Sequence, residues 1–184
     1  MNVVSPDLKT LRQWLLDANY TLILEIAEKK KGILSQLTAL TYNEDATISD
    51  RAIEATGFAA RIITNRDPEY VRNYLLRLFW LLNDESGGVG WHAPELIGEI
   101  LYQCPQFSQF FPMLVSLLDL EAEDAPRFCA GTLWAIGRVA QVTRDAMLPA
   151  LPCVQALILS DKLADEGVKE KAIWCMGQLL GMNP

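Results

Sequence analysis

The residues best suited to chemistry gather in one stretch, Asn83-Asp84-Glu85-Ser86-Gly87-Gly88-Val89-Gly90-Trp91-His92, which ends on the single histidine of the sequence. Three chemistries are open to it. Backbone amides at Gly87, Gly88 and Gly90, just ahead of a helix start, can cradle an anion. Asp84 and Glu85 oppose an anion and, with Asn83 and Ser86, offer the oxygen set that holds a hard cation. His92 with Glu95 has the residue types for acid–base work. Against all three stands a structural reading, a tight glycine-rich corner whose Trp91 pins it to a neighbouring helix. This loop follows a helix pattern, whereas phosphate-binding glycine loops usually follow a strand, so the structural reading is preferred. Asp84, Glu85, Ser86, Gly87, Gly88 and His92 are the candidate loop site.

Nucleophiles and metal ligands are scarce elsewhere. Cys104, Cys129, Cys153 and Cys175 have no short paired spacing. With one histidine they make a poor zinc set, and they read as small apolar residues buried in a reducing compartment. No catalytic residue, metal site or cofactor is expected.

The elements that carry these residues are periodic. Gly57, Gly98, Gly137 and Gly177 fall 41, 39 and 40 residues apart, inside segments that align without gaps: Ile48 to Ala59, Val89 to Ile100, Phe128 to Val139 and Val168 to Leu179. Each begins with a large apolar residue nine positions before its glycine. Small or apolar residues follow at five and four before, an apolar residue or Thr at one before, and an apolar residue two after. That is the 3.6-residue stripe of a buried helix face. A glycine inside a helix costs about 1 kcal/mol relative to alanine, so its recurrence at one register predicts a crowded helix crossing. A second apolar helix precedes each segment, over 32–41, 68–82, 107–120 and 146–159. Ser5-Pro6 and Asp67-Pro68 read as N-caps before a first-turn proline, with Ser49 and Asp165 as further caps. Pro94 sets the start of the helix after the glycine-rich loop. A helix pair every 40 residues or so is the period of a helical solenoid.

The chain resembles the HEAT-repeat proteins, in the broad prokaryotic HEAT-like group. The segment from Val168 to Leu179 is closest to the family's second helix, with an apolar and a basic residue (Val168-Lys169) ahead of the small residues and glycine. Cys129 replaces the basic residue in the third segment, and Pro94 interrupts the second. The resemblance implies an all-α fold, a right-handed α-α superhelix of about four helical hairpins. Residues 1–184 then form a single domain, with 5–31 as an N-terminal helical cap and 32–184 as the repeats. The family spans scaffolds, transport factors, DNA-repair glycosylases and bilin lyases, so it implies no one function.

In that register, positions seven and three before the glycine and one after it face away from the packed stripe. They are Asp50, Glu54 and Phe58; Trp91, Glu95 and Glu99; Ala130, Trp134 and Arg138; Glu170, Trp174 and Gln178. Tryptophan beside arginine is the composition of binding hot spots. Trp91, Glu95, Glu99, Trp134, Arg138, Trp174 and Gln178 are therefore expected to line a groove for a protein or peptide. The alternative, that the rings are buried between repeats, stays open. No lysine or arginine lies between Arg77 and Arg127, while Asp84, Glu85, Glu95, Glu99, Asp119, Glu121, Glu123 and Asp124 do, which favours a basic partner. Solvation alone would also account for those acids.

The net charge of −7 argues against nucleic acid. The N-terminus has no basic flank with an uninterrupted apolar core, and apolar runs are broken by charges, so neither a signal peptide nor a membrane span is expected and the chain reads as cytoplasmic. After Lys171 the last helix is uncharged, and that end is expected to meet either a second copy, as a homodimer, or another protein. The leading functional expectation is a non-catalytic scaffold or adaptor. The alternative is a lyase-type activity or enzyme accessory role on a chromophore or modified protein, with Trp91, His92, Glu95 and Trp134 at the site.

Overall fold

The computed structural model describes residues 5–82, 92–118, 125–159 and 166–182. Among them the regular structure is entirely helical, with no strand. The helices are α1 (Leu8–Leu16), α2 (Tyr20–Ala27), α3 (Ile33–Leu40), α4 (Ala46–Thr64), α5 (Pro68–Leu82), α6 (Ala93–Gln103), α7 (Phe111–Ser116), α8 (Ala125–Met147), α9 (Leu151–Leu159) and α10 (Glu166–Leu180). Short 3-10 turns, Pro105–Phe110 and Leu148–Ala150, lead into α7 and α9. The glycine-bearing segments lie in α4, α6, α8 and α10, and the helix before each is α3, α5, α7 and α9. α1 and α2 occupy the expected cap.

Helix starts follow local chemistry, with two departures from expectation. Asp67 accepts a hydrogen bond from the Tyr70 amide at 3.1 Å and opens α5 as read. The cap of α1 is Asp7 and not Ser5: its carboxylate reaches the Thr10 amide at 2.8 Å. α4 is capped by Asp45, which takes the Thr47 amide at 2.9 Å. Ser49 therefore lies inside that helix, buried, and donates to the Thr41 carbonyl at 2.8 Å. α6 begins at Ala93, beside Pro94. Asp165 lies outside the described residues.

The helices divide into two compact units, Met1–His92 and Ala93–Pro184. In the first, α4 packs against α1, α2, α3 and α5. Leu11, Leu15, Ile23, Leu34, Leu37, Ile48, Ile63 and Leu75 are sealed from water there. Two arginines finish the short helices. Arg51 donates to the Leu15 and Leu16 carbonyls at 2.9 and 2.7 Å, and Arg66 to the Ala27 carbonyl at 2.7 Å, satisfying acceptors that a helix end leaves orphaned. Of the basic run Lys29 to Lys31, Lys31 makes a tertiary tie: it pairs with Asp67 at 2.5 Å and stands 4.8 Å from the Tyr70 ring centre.

In the second unit α8 packs extensively against both α6 and α10, with α7 lying on α8 and α9 on α10. Leu96, Ile97, Ile100, Leu114, Leu133, Ile136, Val139, Val154 and Leu179 fill its core. The glycine register is visible as close approach. A Cβ on Gly98 would stand 2.5 Å from Cα and Cβ of Ala135, so the α6 and α8 backbones touch. A Cβ on Gly137 would stand 2.3 Å from the Trp174 ring.

One stretch, Phe128–Leu159, is long and apolar enough to cross a membrane by length and composition, against the expectation that no run would be. It is not one continuous helix. Thr143 leaves helical geometry (φ −141°, ψ 58°) and the 3-10 turn interrupts again, while 17% of its apolar window is buried in the fold.

Candidate recognition face

The outward register positions of α6, α8 and α10 divide into those that face solvent and those consumed by packing. On α8, Ala130, Trp134 and Arg138 are all half-buried. On α10, Glu170 is exposed while Trp174 and Gln178 are half-buried. On α6, Glu95 is half-buried, but Glu99 is buried, against the expectation that it faces outward.

The cause is Arg138, one repeat further along. Its Nε donates to Glu99 Oε2 at 2.7 Å and its Nη2 to Oε1 at 3.3 Å, while Gln103 donates to the same Oε1 at 3.0 Å. The guanidinium also lies 3.7 Å from the Tyr102 ring centre and donates to Gln141 at 3.1 Å. A forked ion pair in which the carboxylate is withdrawn from water joins α6 to α8. This corrects the reading of Glu99 as part of a negative field, and of Arg138 as a cation available to a partner. Glu95 is constrained too, because its carboxylate occupies the space a Cβ on Gly131 would need.

Trp174 is engaged in packing as well. Its ring edge is seated on Gly137, so part of the indole is a packing surface between α10 and α8, as in the buried alternative. Lys171 stands 5.9 Å from the same ring. In the first unit, Tyr20 covers the corresponding positions of α4. Its hydroxyl donates to Glu54 at 2.5 Å and its ring meets Phe58 edge-on at 5.5 Å, leaving Asp50 exposed.

Of the candidate loop site, Asp84, Glu85, Ser86, Gly87 and Gly88 lie outside the described residues, as does Trp91. His92 is half-buried, its ring edge-on to Tyr42 at 6.4 Å. Among the described residues no group of three or more His, Cys, Asp or Glu side chains is arranged to hold a metal ion. Cys104 and Cys175 are buried and Cys129 and Cys153 half-buried. Burial pushes the Cys175 thiol up to about 12, opposed by a weaker backbone hydrogen bond at Gly137, so it is no nucleophile at neutral pH. Burial also raises Cys129.

Three clefts were not anticipated. The largest, about 690 Å³, opens where Thr143 breaks α8, and is lined by Gln141, Thr143, Arg144 and Asp145 together with Gln178 and Gly181. Arg144 lies against Gly181, whose φ of +70° ends α10 in the left-handed conformation glycine adopts at helix ends. A second cleft, about 480 Å³, is apolar, between Phe111, Pro112 and Val115 on one side and Ala146 and Pro149 on the other. A third, about 250 Å³, lies between α3 and α5 and presents Ser35, Tyr42 and Arg77. Beside it the Thr38 and Tyr74 hydroxyls are hydrogen-bonded to each other, and burial pushes Tyr74 up to about 12 despite that bond. Pro149 falls in the later 3-10 turn, and nothing in the repeat pattern marks the break at Thr143 or the residues that meet around it.

No family model matches the chain. Over 113 residues it is 37% identical to a protein of Archaeoglobus fulgidus described as uncharacterised. The aligned stretch covers 61% of this chain and 56% of that protein, a little over half of each.

Proposed function

We propose that the chain is a HEAT-like helical solenoid, a right-handed superhelix of hairpins, that binds a protein or peptide segment along the face shared by α8 and α10. The contact of Gly98 with Ala135 and of Gly137 with Trp174 supports this architecture, since successive second helices meet at one repeated register. The observation that carries the binding reading is the cleft at the Thr143 break. Gln178, an outward register position, lines it beside Gln141 and Arg144, side chains able to hydrogen-bond a peptide backbone. Trp134, half-buried on the outward register of α8, supplies an apolar anchor. The partner's charge is not assigned by these residues, because Glu99 is neutralised by Arg138.

The test is affinity capture from native lysate with the wild type and a Trp134→Ala/Gln178→Ala double variant. Neither residue is fully buried, so the variant is expected to keep its fold by circular dichroism while losing its captured partners. Recovery of the same proteins by both refutes the assignment.

A further inference from the structure

The glycine register has a third step in the second unit, and there it is left open. Gly98 is covered by Ala135 of the next second helix, and Gly137 by Trp174 of the one after. Gly177, at the same register of α10, would with a Cβ meet only the carbonyl oxygen of Met182, at 3.4 Å. The flanking positions agree. Four residues before the glycine, Leu133 of α8 is 0% exposed and Ile173 of α10 is 55% exposed. One residue before, Ile97 and Ile136 are buried, whereas Met176 is half-buried. α10 therefore repeats the receiving surface of α6 and α8, and no helix among the described residues fills it. Ile173, Met176, Gly177 and Leu180 form its stripe at i, i+3, i+4 and i+7.

We propose that this stripe is the surface through which two copies of the chain pair about a two-fold axis near Gly177. Continuity with the α6–α8–α10 packing says that the occupant is another helix, brought close enough for backbone contact at glycine. Charge and symmetry select a second copy. From Ala172 to Met182 the chain carries no Asp, Glu, Lys, Arg or His, so two such helices bury no charge against each other although each copy bears a net charge of −7. An axis passing between Met176 and Gly177 sets Ile173 of one copy opposite Leu180 of the other, large apolar against large apolar. The same patch serves both copies, and the assembly closes as a dimer.

The proposal is independent of the cleft at Thr143, and the Trp134→Ala/Gln178→Ala variant is expected to dimerise like the wild type. Sedimentation equilibrium of the full chain, from low to high micromolar, is expected to show a monomer–dimer equilibrium. Ile173→Glu and Gly177→Glu place charge on an open surface, so each is expected to keep the wild-type circular dichroism while weakening association by about tenfold or more. Gly177→Leu, where bulk replaces charge, provides a third folded variant that blocks close helix approach. A wild type that stays monomeric throughout the range, or a dimer untouched by all three substitutions, overturns the proposal.

Discussion

Gly98 of α6 lies against the backbone of Ala135 of α8, so close that a Cβ on the glycine would stand 2.5 Å from the alanine Cα. The obstacle is main chain and cannot rotate aside. Gly98→Ala must separate the helices, at a cost of about 1–3 kcal/mol that outweighs the gain in helix propensity. Gly177→Ala, with its nearest neighbour at 3.4 Å, is expected to raise monomer stability by about 0.5–1 kcal/mol. Urea midpoints of the two variants, measured at low protein concentration, should move in opposite directions.

Arg138 holds a carboxylate with almost no solvent of its own. Arg138→Ala leaves Glu99 buried and uncompensated, and is expected to cost about 3 kcal/mol, the lower end for a broken buried pair because Arg138 is itself partly solvated. Adding Glu99→Gln to Arg138→Ala should restore part of that loss. Thermal melts of the single and double variants check the order.

Ala18 closes α1 with φ +50°, the only non-glycine residue among those described to adopt a left-handed backbone. It is exposed, so its methyl contributes little packing. Ala18→Gly is expected to stabilise the chain by about 1 kcal/mol, read as a higher denaturation midpoint; a lower midpoint contradicts the strain assigned here.

Asp67 is held below its ordinary value of 3.8, first by the hydrogen bond from Lys31 and then by the Tyr70 amide. A depressed carboxylate contributes stability that is fully present above the unfolded value and is lost as pH falls through the lower folded one. Between neutral pH and pH 3, Asp67→Asn, which keeps a capping side chain, should therefore lose less stability than the wild type. Equal acid sensitivity of the two proteins removes Asp67 from the acid response.

The helices were legible because burial at 3.6-residue spacing is a property of each segment alone. Ile48, Ala52, Ala59, Leu133, Ile136, Val139 and Leu179 are buried where the stripe puts them. Caps were legible only within a few residues, since Ser49 and Asp45 are both competent and the hydrogen bond to the Thr47 amide selects the earlier one. The outward positions were harder. Periodicity states which side of a helix a residue occupies, but what lies over that side depends on how neighbouring helices cross and by how much they are offset.

Sequence by itself therefore determined that the described residues are helical and that a glycine register recurs every 40 residues or so, because local apolar spacing and the absence of a side chain act within each segment. Tertiary structure alone decided that Glu99 is claimed by Arg138, that the Trp174 indole rests on Gly137, and that a cleft forms where Thr143 interrupts α8. Those pairs are brought together by the approach of whole helices, a distance and an angle that no single segment encodes.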